Sequence, residues 1–383
     1  MGRAIEVPVT SSVLHWAIEE SGYDLEQIAH EINVPLATIA QWISGDSRPT
    51  LTHARKLANK LHRPLAAFLL PEPPDSRPLA VEFRHPARDE RELNPSERRH
   101  IRRAARFQEI FSWLERELEI ERPRTPSASV DDDPVSVASA ARDVLGISAT
   151  DQRRWATPSA AFDAWRTALE GTGHLVFLFS MGNDACSGFS LWDEFASVVA
   201  INTAWNESAR IFTLFHEIAH LITRTSSACV ESVRATSRTD PVERWCEQFA
   251  AAFLMPATDV ETTLRQSGLS SRNPLTDLRF AKSFANLYKV SLRAAVIRLI
   301  ELNAATWDLY DKIPRISDKK PPGGGGRGRN RTEIREDQFG ERATSLLLTG
   351  VQQDILDRSQ AVELLDIPDA AFDELARTGR QAR

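Results

Sequence analysis

The chain has 383 residues, 42% of them hydrophobic and 26% charged, which are globular values and leave room for two or three domains. A net charge of -6 gives no whole-molecule case for nucleic acid or an anionic membrane. Three cysteines (Cys186, Cys229 and Cys246), none in a CxxC or zinc-finger spacing, argue against a disulfide scaffold. With no apolar signal core and no stretch of membrane-spanning length, the expectation is a soluble cytoplasmic protein without a membrane partner.

Residues 10–75 predict a compact all-α domain. Its helices run from Ser11 to Ser21, ended by Gly22; from Leu25 to Asn33, capped by Asp24; from Pro35 to Ser44, stopped by Gly45; from Leu51 to Leu61; and from Pro64 to just before Pro71. Residues 76–134 predict a charged helical connector. Its Arg98, Arg99, Arg102, Arg103 and Arg106 are expected on a solvated face partly paired with Glu97 and Glu109. An apolar stripe follows at Phe107, Ile110, Phe111 and Leu114, and then a polar loop from Pro123 to Pro134.

Residues 135–310 predict a mixed domain. Helical sequence runs to about residue 170, with Trp155 and Trp165 as core anchors. Short strands are expected at Leu175–Phe179, Ser187–Ser190 and Ser197–Asn202, then one helix through Arg210–Ile222 and another over Val242–Met255, closed by Pro256. More helices are expected between 275 and 303. Residues 311–335, with the glycine run 323–326, predict a flexible linker, and residues 336–383 a small helical region. The fold class expected is mostly α with a small β-sheet, an α+β core beside a separate all-α amino-terminal domain and a helical tail.

His216-Glu-Ile-Ala-His220 is an HExxH pentad inside an apolar helical run. Histidines four apart project from one helix face, which suits two ligands of one tetrahedral Zn²⁺, and the glutamate between them suits a general base. An unpaired charge between Phe215 and Ile218 would be costly, and a metal removes that cost. A third protein ligand is needed. On spacing alone either Glu243 or Glu247 supplies it, since both lie on one face of the later helix.

The segments Ser187-Gly-Phe-Ser190, Val199-Ala-Ile-Asn202, Arg210 through Leu221 and Glu243 through Pro256, in that order, resemble the ImmA/IrrE family of zinc metallo-endopeptidases. Cys246 and Glu247 stand where alanine and asparagine are usual. The resemblance implies a zincin-like core with His216, His220 and Glu243 as Zn²⁺ ligands and Glu217 as catalytic base. It also implies that the strand Ser197–Ile201 is the substrate-facing edge, and that the substrate is a protein such as a repressor or antitoxin.

Residues 13–70 likewise resemble a Cro-type (XRE) helix-turn-helix, with Leu25–Val34 as positioning helix and Pro35–Gly45 as recognition helix. Thr38, Gln41 and Arg48 are the candidate DNA contacts. Against this, residues 1–75 hold six basic and nine acidic groups, a net charge of -3, whereas a DNA-binding face is normally basic. Three functions stay open at this level: a peptidase controlling gene expression, a DNA-binding regulator whose metal domain senses or docks without turnover, and a purely protein-binding partner.

Overall fold

The computed structural model describes residues 5–74, 93–124, 126–224, 227–229, 240–267, 275–314 and 330–381. The expected linker glycines lie outside them. The chain divides into two compact units, one holding described residues 5–74 and 93–103, the other the described residues from Ala104 onward.

In the first unit, helices α1 (Ser11–Ser21), α2 (Leu25–Ile32), α3 (Leu36–Ser44) and α4 (Leu51–Lys60) are followed by a 3-10 turn, Leu65–Leu69, rather than a fifth α-helix. Pro64 and Pro71 bracket this turn and keep it short. Leu14, Ile18, Ile28, Ile39, Trp42, Leu57 and Phe68 fill the core. Gly22 and Gly45 end α1 and α3 in the left-handed conformation that glycine adopts without strain. Asp24 occupies the N-cap of α2 without a side-chain cap bond, whereas Thr50 caps α4 by accepting from His53 N.

Helix α5 (Pro95–Glu117) begins in this unit, and its arginines correct the expected solvated face. Arg98, Arg99, Arg102 and Arg103 are half-buried, and only Arg106 is exposed. Arg98 Nε donates to Leu93 O at 3.0 Å, Arg102 donates to Glu20 O, and Arg99 Nη1 lies 3.2 Å from His62 Nε2. Their long stems cover apolar surface while their heads satisfy backbone carbonyls, a use that a charge run does not reveal.

In the second unit, helices α6 (Pro134–Leu145), α7 (Ala149–Arg154) and α8 (Pro158–Gly171) precede strands β1 (Leu175–Phe179), β2 (Gly188–Leu191) and β3 (Val198–Asn202). Helix α9 (Glu207–Ile222), strand β4 (Ser227–Cys229), and helices α10 (Pro241–Leu254), α11 (Ala257–Gln266), α12 (Leu278–Tyr288), α13 (Leu292–Glu301) and α14 (Trp307–Asp311) follow. The sheet order is β1-β3-β2-β4, with β1 parallel to β3 and β2 antiparallel to both β3 and β4. Strand β3 is therefore internal, which corrects its expected place at the edge: hydrogen bonds to β1 and β2 occupy both of its sides. Periodicity gives a strand's faces and never its neighbours.

Every residue of β1, β2 and β3 is buried because both faces of the sheet are covered. Val176, Leu178, Val199 and Ile201 join the core built by α8, α9 and α10. On the opposite face, Phe177 packs on Phe107 and Phe111 of α5 and on Phe339. Phe339 belongs to α15 (Arg331–Gln352), the first of three carboxy-terminal helices with α16 (Arg358–Leu365) and α17 (Asp369–Gln381). Helix α15 begins before residue 336 because Asn330 and Glu333 form a reciprocal capping box. Of the two expected tryptophan anchors, Trp165 is fully buried, while Trp155 is half-buried and meets it edge-on.

Helix α15 kinks at Gly340 (φ 81°, ψ 172°), a backbone conformation open to glycine almost alone. Beyond the kink, Glu341 N and Arg342 N donate to Glu170 Oε2 at 2.9 and 3.1 Å, so a buried carboxylate from α8 caps the second half of α15. Arg166 holds that carboxylate at 2.9 Å and also donates to Val176 O and Asp337 O. A Cβ on Gly340 would run into the Glu170 carboxylate. Gly340→Ala is expected to destabilise the protein by about 2 kcal/mol or more through the forced positive φ and the displaced cap, measured by denaturant unfolding; a loss under about 0.5 kcal/mol would show that the kink relaxes freely.

Candidate metal centre

Helix α9 starts at Asn206, whose side chain accepts from Ala209 N at 3.0 Å. From Arg210 to Ile222 all but one residue are buried. Gly188 lets α9 lie close on β2, since a Cβ there would come 2.6 Å from Thr213 Cγ2. Helix α10 starts at Asp240, which accepts from Val242 N at 2.8 Å, with Pro241 in the first turn. The two helices meet through aromatic rings: Phe215 stacks on Phe253 at 4.0 Å between centroids, and Trp165 closes edge-on against both.

That contact brings His216, His220 and Glu243 together. His216 Nε2 lies 3.1 Å from Glu243 Oε2, His220 Nε2 lies 3.4 Å from Glu243 Oε1, and the two Nε2 atoms are 3.2 Å apart. Among the described residues this is the group of histidine, cysteine and carboxylate donors that could hold a metal ion. Glu247, equal to Glu243 on spacing, is not part of it, and neither is Cys246, whose thiol is pushed well up by burial and then by the nearby carboxylates. Three donors bound to one tetrahedral Zn²⁺ at ordinary bond lengths would stand about 3.3 Å from one another. The observed separations match, so nitrogen, nitrogen and oxygen donors in this arrangement suit zinc.

The same crowding sets the charges. Burial works against a charged His216, but its hydrogen bond to Glu243 and the negative charges of Glu243, Glu217 and Glu247 outweigh it and raise the ring to about 9. Burial likewise works against ionised Glu243, and the two histidines overcome it to hold the carboxyl far below its usual range. Glu217 is fully buried, next to the first histidine on the same helix.

Sequence reasoning selected this histidine pair; spacing left the carboxylate open between Glu243 and Glu247, and the resemblance pointed to Glu243. It missed β4 and α11, which are too short or too polar to give a clear period. The amino-terminal candidates stand apart in the first unit: Gln41 and Arg48 are exposed and Thr38 is half-buried. Leu36, at the start of α3, is 43% exposed, and Ala37 and Ala40 are exposed beside it.

A histidine raised by a partner stabilises the fold below its unfolded value of about 6.5, and that contribution disappears as pH rises through the folded value. The metal-free protein is therefore expected to lose stability between pH 6.5 and about 9. Glu243→Gln should flatten that limb in denaturant titrations across the range, and an unchanged slope would dissociate Glu243 from His216.

Residues 169–299 match the model of the peptidase M78 family, described as the IrrE N-terminal-like domain, and residues 14–68 match a helix-turn-helix model. No curated protein and no solved structure matches the chain significantly. The first match contains both site helices and the whole of β1 to β3, and the second spans the core of the first unit. The chain thus joins a domain of the IrrE/ImmA-like metallopeptidase family to an amino-terminal helix-turn-helix of the XRE type.

Proposed function

We propose that the second unit is a zinc-dependent endopeptidase and that its substrate is a protein, such as a repressor or antitoxin, whose cleavage changes gene expression. The observation that supports this best is the convergence of His216, His220 and Glu243 within coordination range, with Glu217 beside them on α9. When bound, zinc supplies a Lewis acid that acidifies water and polarises a peptide carbonyl. His216 and His220 would hold it through their ring nitrogens, and Glu243 through its carboxylate. Glu217 takes the proton of the attacking water onto its carboxylate and then delivers it to the nitrogen of the leaving amine. Its full burial, next to His216, keeps that proton from bulk water.

Glu217→Gln is expected to retain zinc at wild-type stoichiometry, measured by metal analysis, while cleavage of a co-encoded repressor falls by about a hundredfold or more. Undiminished cleavage by this variant would remove Glu217 from the mechanism.

For the first unit we propose contact with DNA through α3 and the turn after it, using Thr38, Gln41 and Arg48. Helix α3 itself carries no charged residue. The nearby Lys56 donates to Ile32 O at 3.0 Å and caps α2. Arg48→Ala is expected to weaken operator binding and to lower the slope of log affinity against log salt by about one, read by fluorescence anisotropy at several salt concentrations. Salt-dependent operator binding with no cleavage of any candidate would favour the second reading, a regulator whose metal domain senses or docks without turnover.

A further inference from the structure

Helix α10 places Glu243 opposite the histidines, yet its contact with α9 is largely ring against ring. Apolar contact is non-directional and resists sliding weakly. A helix displaced by one residue moves about 1.5 Å along its axis and turns about 100°. Either change would carry the Glu243 carboxylate out of the narrow range in which the three donors meet. Something must fix the register of α10.

The hydrogen bonds that do so come from α6 and the residue just ahead of its N-cap, with support from α7 and α13. Near the start of α10, Trp245 Nε1 donates to Asp132 O at 2.8 Å, immediately before α6 begins. At the other end, Arg142 in the last turn of α6 donates through Nη1 to Phe253 O at 2.6 Å. The two helices therefore run side by side in the same direction and are bonded at both ends. The Arg142 fork is itself held, its Nη2 donating to Gln152 Oε1 at 2.9 Å. Gln152, fully buried, passes the contact on by donating through Nε2 to Leu254 O at 3.1 Å, and Arg298 Nε from α13 donates to Met255 O at 3.0 Å. Three successive carbonyls at the end of α10, which a helix leaves without intrahelical partners, are thus each bonded by a buried side chain.

We infer that α6 is a splint that sets the height and rotation of Glu243 relative to His216 and His220, with Arg142 and Trp245 as its positioning residues. Neither residue is among the converging donors. The inference rests on the metal-centre reading above.

Co²⁺ titration of the metal-free full-length protein, followed by visible absorption in competition with a chelator, tests both separately. The wild type is expected to show an intense tetrahedral Co²⁺ band; its absence would overturn the metal centre and the splint with it. Trp245→Phe, which removes one N–H and keeps the ring stacked on Phe249, is expected to bind Co²⁺ about tenfold more weakly, with a shifted band. Its melting temperature without metal should stay near the wild-type value. Arg142→Lys, which keeps the charge and loses the fork, should act in the same direction. Gly340→Ala, a lesion of stability remote from α10, should leave both affinity and band unchanged. Wild-type affinity and band in both Trp245→Phe and Arg142→Lys would overturn the splint, as would an equal loss in Gly340→Ala.

Discussion

The burial of two imidazoles and a carboxyl group on successive turns of an apolar helix is the constraint from which the second unit is built. His216, Glu217 and His220 are withdrawn from bulk water where they lie, so much of their compensation has to come from protein or a bound cation. Glu243 provides the protein part, and it can do so only because α10 comes close enough. The stack of Phe215 on Phe253, the missing side chain at Gly188 and the bonds between α6 and α10 all serve that approach. Apolar packing brings the helices together, and directional bonds decide where along their length they stop.

What was legible in the sequence was local. The pentad reads directly because its residues sit on adjacent turns, and the runs 175–179, 187–190 and 197–202 read as strands, within a residue of those observed, whose residues are all buried. The order of those strands was not legible, since pairing is decided between segments. Glu243 and Glu247 could not be separated on spacing, because a single helical turn puts both on one face and only the placement of α10 distinguishes them. The arginines of α5 misled for a related reason: a charged head with a long stem looks the same in sequence whether water or a backbone carbonyl receives it.

The helix-turn-helix poses a different balance. Its core is complete, and its turns are ended by glycines in the left-handed conformation. Its reading helix nevertheless offers small and apolar side chains to the exterior, and its basic group Arg48 lies beyond the helix end. The DNA contact proposed above would, through such a face, depend on the polar side chains of Thr38 and Gln41 and on contact with apolar groups of the base edges, with little help from long-range attraction.

The aromatic contact of Phe339 with Phe107 and Phe177 bears on where the peptidase-like domain ends. The matched family segment stops at residue 299, but the sheet inside it has a second side on which Phe177 packs against α5 and α15. A fragment cut to the limits of the family match would present phenylalanines of β1 to water and would be prone to stick to its own copies. The packed core is therefore larger than the family segment: it takes in helices from before and after it.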